Sequence, residues 1–230
     1  MNPDLRLNAE EILERVRIAA ESADRDPIEI TVVAVSKTFD RELMDQAYEL
    51  GFRVFGESRA QEIRQKSEPP FPEDLELHMI GPLQTNKIRQ ILPHVHVLQT
   101  VDRTRLISAL AKELAKQDAT LKVMLQVNIS GEEQKSGVAP EDAEKLLAAA
   151  LDADGIEPVG LMTMAPYGAD EATQKYVFRG LRELRDRLQE AHGVAIPALS
   201  MGMSDDFETA IAEGATHIRV GRALFGSRPE

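Results

Sequence analysis

Short apolar runs alternate along this chain with stretches in which apolar residues recur every three or four positions. The runs read as buried strands and the periodic stretches as helices packed on one face. A helix over 3–24 gathers Ile12, Leu13, Val16, Ala19 and Ala20 on one face, with charges opposite. A strand over 30–36 follows, rich in β-branched residues and nearly free of polar groups, as in a strand covered on both faces. Asp40 is placed to cap a helix over 41–50 that stops at Gly51. The pattern then predicts a strand over 53–57, a helix from Ser58 to 66, a rigid loop over 67–72 and a strand over 75–80. A helix over 86–92 ends at Pro93, and a strand over 95–98 leads to a helix capped by Asp102. Further strands are expected over 121–129, 160–164, 198–201 and 217–220. Helices over 140–151 and 170–191, and one capped by Ser204 and ended by Gly214, lie between them, with a last helical turn over 221–225.

Eight short strands alternating with helices call for a parallel sheet. In 230 residues without a composition break, that is an α/β fold with one domain over 1–230, a single (β/α)8 TIM-type barrel preceded by the N-terminal helix. The alternative is an open doubly wound sheet. It calls for a glycine-rich dinucleotide turn after the first strand, where this chain has Ser36-Lys37-Thr38-Phe39-Asp40.

Charge and composition narrow the function. With 27 basic and 39 acidic residues the formal net charge is −12, which argues against a nucleic-acid surface and against anionic membranes. There is no cysteine, so disulfides, thiolate metal sites and a cysteine nucleophile are excluded and a cytoplasmic location fits. The charged N-terminal residues do not make a signal peptide, and no apolar run would cross a bilayer. The histidines lack metal-ligand spacing.

In a barrel, function gathers at the carboxyl ends of the strands. Those ends carry Lys37, Glu57 with Ser58, His78 with Gly81, Gln99, Asn128 with Ser130, residues 162–164, residues 200–204 and residues 219–222. Lys37 stands out, because an ammonium is costly inside a strand but at its mouth can lose part of its solvation and form a Schiff base. The segment 199–204, which ends the seventh strand, and the segment 218–223, which ends the eighth, are placed to receive a phosphate. Asp205 and Asp206 should turn away from such an anion. A lysine and a phosphate cradle across one mouth suggest a phosphorylated aldehyde, pyridoxal 5′-phosphate (PLP) being the simplest.

Several motifs carry a resemblance in order and spacing: Val33-Ala34-Val35-Ser36-Lys37, Phe55-Gly56-Glu57, His78-Met79-Ile80-Gly81-Pro82-Leu83-Gln84-Thr85-Asn86-Lys87, Gln126-Val127-Asn128-Ile129, Gly160-Leu161-Met162, Leu199-Ser200-Met201-Gly202-Met203-Ser204 and the segment 218–226. On them the chain resembles the pyridoxal phosphate homeostasis proteins, which are similar in fold to the barrel domain of alanine racemase. The resemblance implies that Lys37 carries the PLP Schiff base and that Arg219 lies near the pyridine nitrogen. It implies that Ser200, Gly202, Ser204, Gly221 and Arg222 hold the phosphate, that Asn128 and Met201 lie beside or under the ring, and that His78 and Asn86 shape the pocket. Lys87 and Lys135 are rival lysines, better read as solvated. Ser58 stands where the family usually has asparagine, which puts a ligand role there in doubt.

An arginine at the pyridine nitrogen keeps that atom unprotonated and weakens the electron sink. Racemisation also needs a second acid or base; Tyr48 and Tyr176 fall on predicted helices, leaving Tyr167 as the one weak candidate, and no second domain is expected. The expectation is a PLP-binding protein with little or no turnover that handles PLP and amino or keto acids, as a monomer. A weak amino-acid racemase and a Schiff-base aldolase acting on a sugar phosphate remain open alternatives.

Overall fold

The computed structural model describes residues 3–132 and 134–227. Among them, eight parallel strands close in chain order into a barrel: β1 (Thr31–Val35), β2 (Val54–Glu57), β3 (Glu76–Met79), β4 (Val97–Val101), β5 (Leu121–Gln126), β6 (Ile156–Met162), β7 (Ala198–Met203) and β8 (His217–Val220). The expected (β/α)8 architecture is present, and the open sheet is excluded by direct pairing of β1 with β8, in which Val33 lies opposite Arg219.

The helices α1 (Pro3–Ser22), α2 (Arg41–Glu49), α3 (Ala60–Lys66), α4 (Ile88–Ile91), α5 (Thr104–Ala115), α6 (Ala143–Leu151), α7 (Glu171–His192), α8 (Phe207–Ala212) and α9 (Arg222–Phe225) surround the barrel. Most of the apolar core lies between strands and helices, with Ala34, Phe55, Leu77, Phe178, Met201 and Phe207 all buried there. A smaller group, Val97, Met124, Met162 and Ala198, fills the barrel interior. Alternation along each strand assigns residues to the two layers: Ala34 joins the outer core, whereas Val35 and Lys37 face the mouth.

Asp40 and Asp170 cap α2 and α7 by accepting the amides of Leu43 and Thr173 at 2.9 and 2.8 Å. Two other expected caps are corrected. Asp102 pairs with its neighbour Arg103, and α5 starts without a side-chain cap. Ser204 lies outside α8 and instead accepts a bond from the amide of Ala223 at 3.3 Å, tying the loop after β7 to the start of α9. The strand expected over 95–98 is displaced to Val97–Val101, which draws Gln99 into the barrel wall. The strand expected over 121–129 ends at Gln126, with Val127 making only an isolated bridge to Val138. The helix expected over 86–92 is a 3-10 turn, Thr85–Lys87, followed by the short α4.

The N-terminal helix braces the elements after β7 and β8. Asn8 Nδ2 donates to Leu224 O at 3.0 Å, Arg15 pairs with Glu208 at 2.6 Å, and Arg25, just past α1, donates to Ile211 O and Ala215 O at 3.0 and 2.8 Å.

At Gly160 the backbone of β7 lies close against β6: a Cβ there would stand 2.0 Å from Ala198 O. Gly160→Ala should therefore lower stability by about 3 kcal/mol or more, the upper range for overpacking, read as a fall in the urea midpoint.

Candidate functional site

Lys37 lies two residues beyond β1, in a turn closed by the bond from Phe39 N to Ser36 O at 3.1 Å. Its side chain borders two adjoining cavities, of about 220 and 380 Å³, which share Val35, Lys37, Gly221 and Arg222. The smaller is walled by the apolar Val35, Ile80, Met164 and Met203 and by the polar Lys37, Ser204, Arg219 and Arg222, with Tyr167 at its edge. Strand register produces this convergence, because Arg219 sits beside Val33, two inward-facing positions below Lys37 with Val35 between them.

Arg219 is 5% exposed, and burial pulls its pKa down to about 10, which leaves it cationic at neutral pH. It donates to Thr163 O at 2.9 Å and to Ser200 Oγ at 2.6 Å. Ser200 in turn donates to Gln99 Oε1 at 2.6 Å. That leaves the Gln99 amide nitrogen to donate to His78 Nδ1, 2.7 Å away. His78 then carries its proton on Nε2, which faces Glu76 Oε2 at 3.5 Å. Every donor in this series points the same way, from the mouth toward the amino end of β3. Burial lowers the pKa of His78, so its imidazole stays neutral and the tautomer is fixed by Gln99.

Several residues expected at the site therefore do other work. The Ser200 hydroxyl is spent on Arg219 and Gln99, and neither Ser200 nor His78 borders the cavity. Met201, expected beside or under the ring, is packed in the core between barrel and helices and does not border the cavity. The pairing of β7 with β8 shifts between Ser200 and Met203, and Gly202, at φ +91°, absorbs that irregularity. Met203 consequently faces the mouth, and a glycine inside a strand was the sequence signal for it. A Cβ at Gly202 would meet Ala210 Cβ at 2.6 Å, so this glycine also seats α8. Asn128 is engaged with its own loop, donating to Glu132 O at 2.9 Å and accepting from Ser130 Oγ at 3.1 Å. Asn86 is exposed in its turn. Lys87 and Ser58 border a separate groove. Lys135 is not simply solvated, being half-buried and paired with Glu132. Thr163, which anchors Arg219 by its carbonyl, and Ile80 entered the sequence reading only as members of the strand end 162–164 and of the 78–87 motif, without a role of their own.

Of the two acidic residues after β7, Asp206 turns away as expected, accepting the amide of Met203 at 2.5 Å. Asp205 stays at the cavity edge and pairs with Arg222 at 2.6 Å. Among the described residues, no group of three or more potential ligands could hold a metal ion, and no helix is long and apolar enough to cross a membrane.

Residues 7–229 match the family described as alanine racemase, N-terminal domain. The chain is 42% identical over 217 residues to the pyridoxal phosphate homeostasis protein of Aquifex aeolicus, covering 94% of this chain and 95% of that one. The chain belongs to the pyridoxal phosphate homeostasis protein family. It is 41% identical to the Pseudomonas aeruginosa member over 221 residues, covering 96% and 94% of the two chains. Among solved structures, PipY of Synechococcus elongatus with PLP bound is 34% identical with a TM-score of 0.81, covering 94% of this chain and all of that one. Alanine racemase of Corynebacterium glutamicum, 20% identical with a TM-score of 0.67, covers 96% of this chain and 62% of that one and shares the fold.

A pH dependence follows from His217, whose imidazole is pulled down to about 4 by burial and by His78. It is neutral in the folded protein, whereas in the unfolded chain it takes up a proton near pH ~6.5. Between those values the unfolded state binds more protons, so stability falls as the pH drops from about 6.5 to about 4. His217→Gln should remove about 2–3 kcal/mol of the loss seen between pH ~7 and ~4.5 in paired urea titrations.

Proposed function

We propose that this protein binds PLP through Lys37 and takes part in intracellular PLP homeostasis, in the cytoplasm, with little or no catalytic turnover. The observation that carries the reading is the placement of Lys37 and Arg219 on one cavity whose edge is formed by Ser204, Gly221 and Arg222. The donor set fits the cofactor: an amine for the aldehyde, a buried guanidinium for the ring nitrogen, hydroxyl and guanidinium donors for the phosphate, and Val35, Ile80, Met164 and Met203 against the ring. When bound, PLP supplies an aldehyde that a lysine amine takes up with loss of one water, forming a carbon–nitrogen double bond.

The protein's own groups favour holding over turning over. Arg219 presents a cation where an electron sink would need a protonated ring nitrogen. Asp205, among the described residues the one carboxylate bordering the cavity, is engaged by Arg222. Tyr167 is 89% exposed, so it neither seals the mouth nor is held against a reacting atom. Weak racemisation remains the competing reading because Tyr167 does border the cavity.

Mixing the protein with PLP should give a visible absorbance band that borohydride fixes and Lys37→Ala abolishes. α-Proton exchange from amino acids in deuterated water should stay at the background rate; Lys37-dependent exchange lost in Tyr167→Phe would instead establish a racemase. No Lys37-dependent band would sink the PLP reading. Asp205→Asn, which frees Arg222, should bind inorganic phosphate severalfold more tightly by calorimetry, with the gain shrinking in high salt.

A further inference from the structure

Behind Lys37, on the side away from the cavity, lies a buried polar group that the function described above does not use. Lys66 and Glu57 are 7% and 1% exposed and pair at 2.6 Å. Lys66 Nζ also donates to Ser36 O at 2.8 Å, and Ser36 Oγ donates to Glu57 Oε1 at 2.7 Å. One turn earlier on α3, Glu62 Oε2 accepts the amide of Thr38 at 3.2 Å. Glu62 and Lys66, four residues apart, share one face of that helix.

These bonds bracket a single residue. Ser36 O belongs to the peptide group before Lys37, and the Thr38 N–H belongs to the one after it. Holding both planes sets φ and ψ of Lys37, and with them the direction in which its side chain leaves the backbone. The turn needs holding, because Thr38 sits at φ +71°, a left-handed conformation that a β-branched residue adopts only at a cost. A buried ion pair is a poor source of net stability, since two charges are taken out of water to make it, but it fixes geometry well.

We propose that Glu57, Glu62 and Lys66 are positioning residues that aim the Lys37 amine at the cofactor aldehyde through the backbone of the strained 36–38 turn. The proposal rests on the PLP reading and extends it to residues that touch neither the cavity nor the ligand.

The test separates aiming from binding. Glu62→Ala removes one clamp. Glu57→Gln combined with Lys66→Met removes both buried charges together and leaves neither unpaired. Each variant, checked for folding by circular dichroism, is mixed with PLP to follow the lysine-dependent band. It is also titrated with pyridoxine 5′-phosphate, which has the ring and phosphate but no aldehyde. The expected result is band formation slowed about tenfold or more, as displacement of a reacting group by about 1 Å can do, with pyridoxine 5′-phosphate affinity within about twofold of wild type. An unchanged rate in folded Glu62→Ala, or an equal loss of both properties, overturns the proposal; if the double variant does not fold, Glu62→Ala decides alone. A wild-type protein that forms no band overturns the cofactor reading instead, a result no variant-to-wild-type ratio can imitate.

Discussion

A guanidinium enclosed in a parallel barrel must have its charge and its N–H groups answered from inside, and the interior of this protein is built to do that for Arg219. Burial strips away most of its solvation, and its pKa is lowered but not enough to discharge it. Thr163 and Ser200 accept from it, Gln99 accepts from Ser200, and His78 takes the next bond toward Glu76. The polar residues of β3, β4 and β7 are thus members of one network, and an apolar replacement at any of them would leave a buried donor or acceptor unsatisfied. Of the residues in this network, Arg219 is the one that borders the cavity, so most of the polar chemistry buried in the barrel serves one cation.

The lysine side of the mouth is organised differently. Lys37 lies on a turn beyond the barrel, supported from outside by α3 and the end of β2. The loops after β7 and β8 are joined through Ser204 and Ala223 and backed by α1 through Asn8 and Arg15 and, just past it, by Arg25. Three supports of separate origin meet at one cavity: a hydrogen-bonded interior, a charged clamp behind the lysine turn, and a helix strapped across the back of the remaining rim.

Much of this was legible in the sequence, and the parts that were not share a cause. The apolar runs gave eight strands in the right order, and the polar residues clustered at their carboxyl ends pointed to the rim where the cavity opens, with Lys37, Arg219, Gly221 and Arg222 among its lining. Direction was harder to read. Met201 and Met203 are alike in sequence, but the irregularity at Gly202 sends the first outward and the second to the mouth. Ser200 and His78 were recognised as polar residues near strand ends; that their bonds run sideways across the barrel depends on neighbours from strands remote in the chain. Lys66 carried no signal at all, since a lysine at the end of a short amphipathic helix usually reaches solvent.

The join between β1 and β8 gives the site one more property. Lys37 and Val35 belong to one side of that seam, Arg219, Gly221 and Arg222 to the other, and Thr31 N meets Thr216 O across it at 2.8 Å. A ligand that grips both sides acts as a staple on barrel closure. By linkage, occupancy must stabilise the closed barrel by as much as an opened seam would cost in affinity. The affinity of such a protein for its cofactor is therefore also written into how tightly its first and last strands stay together.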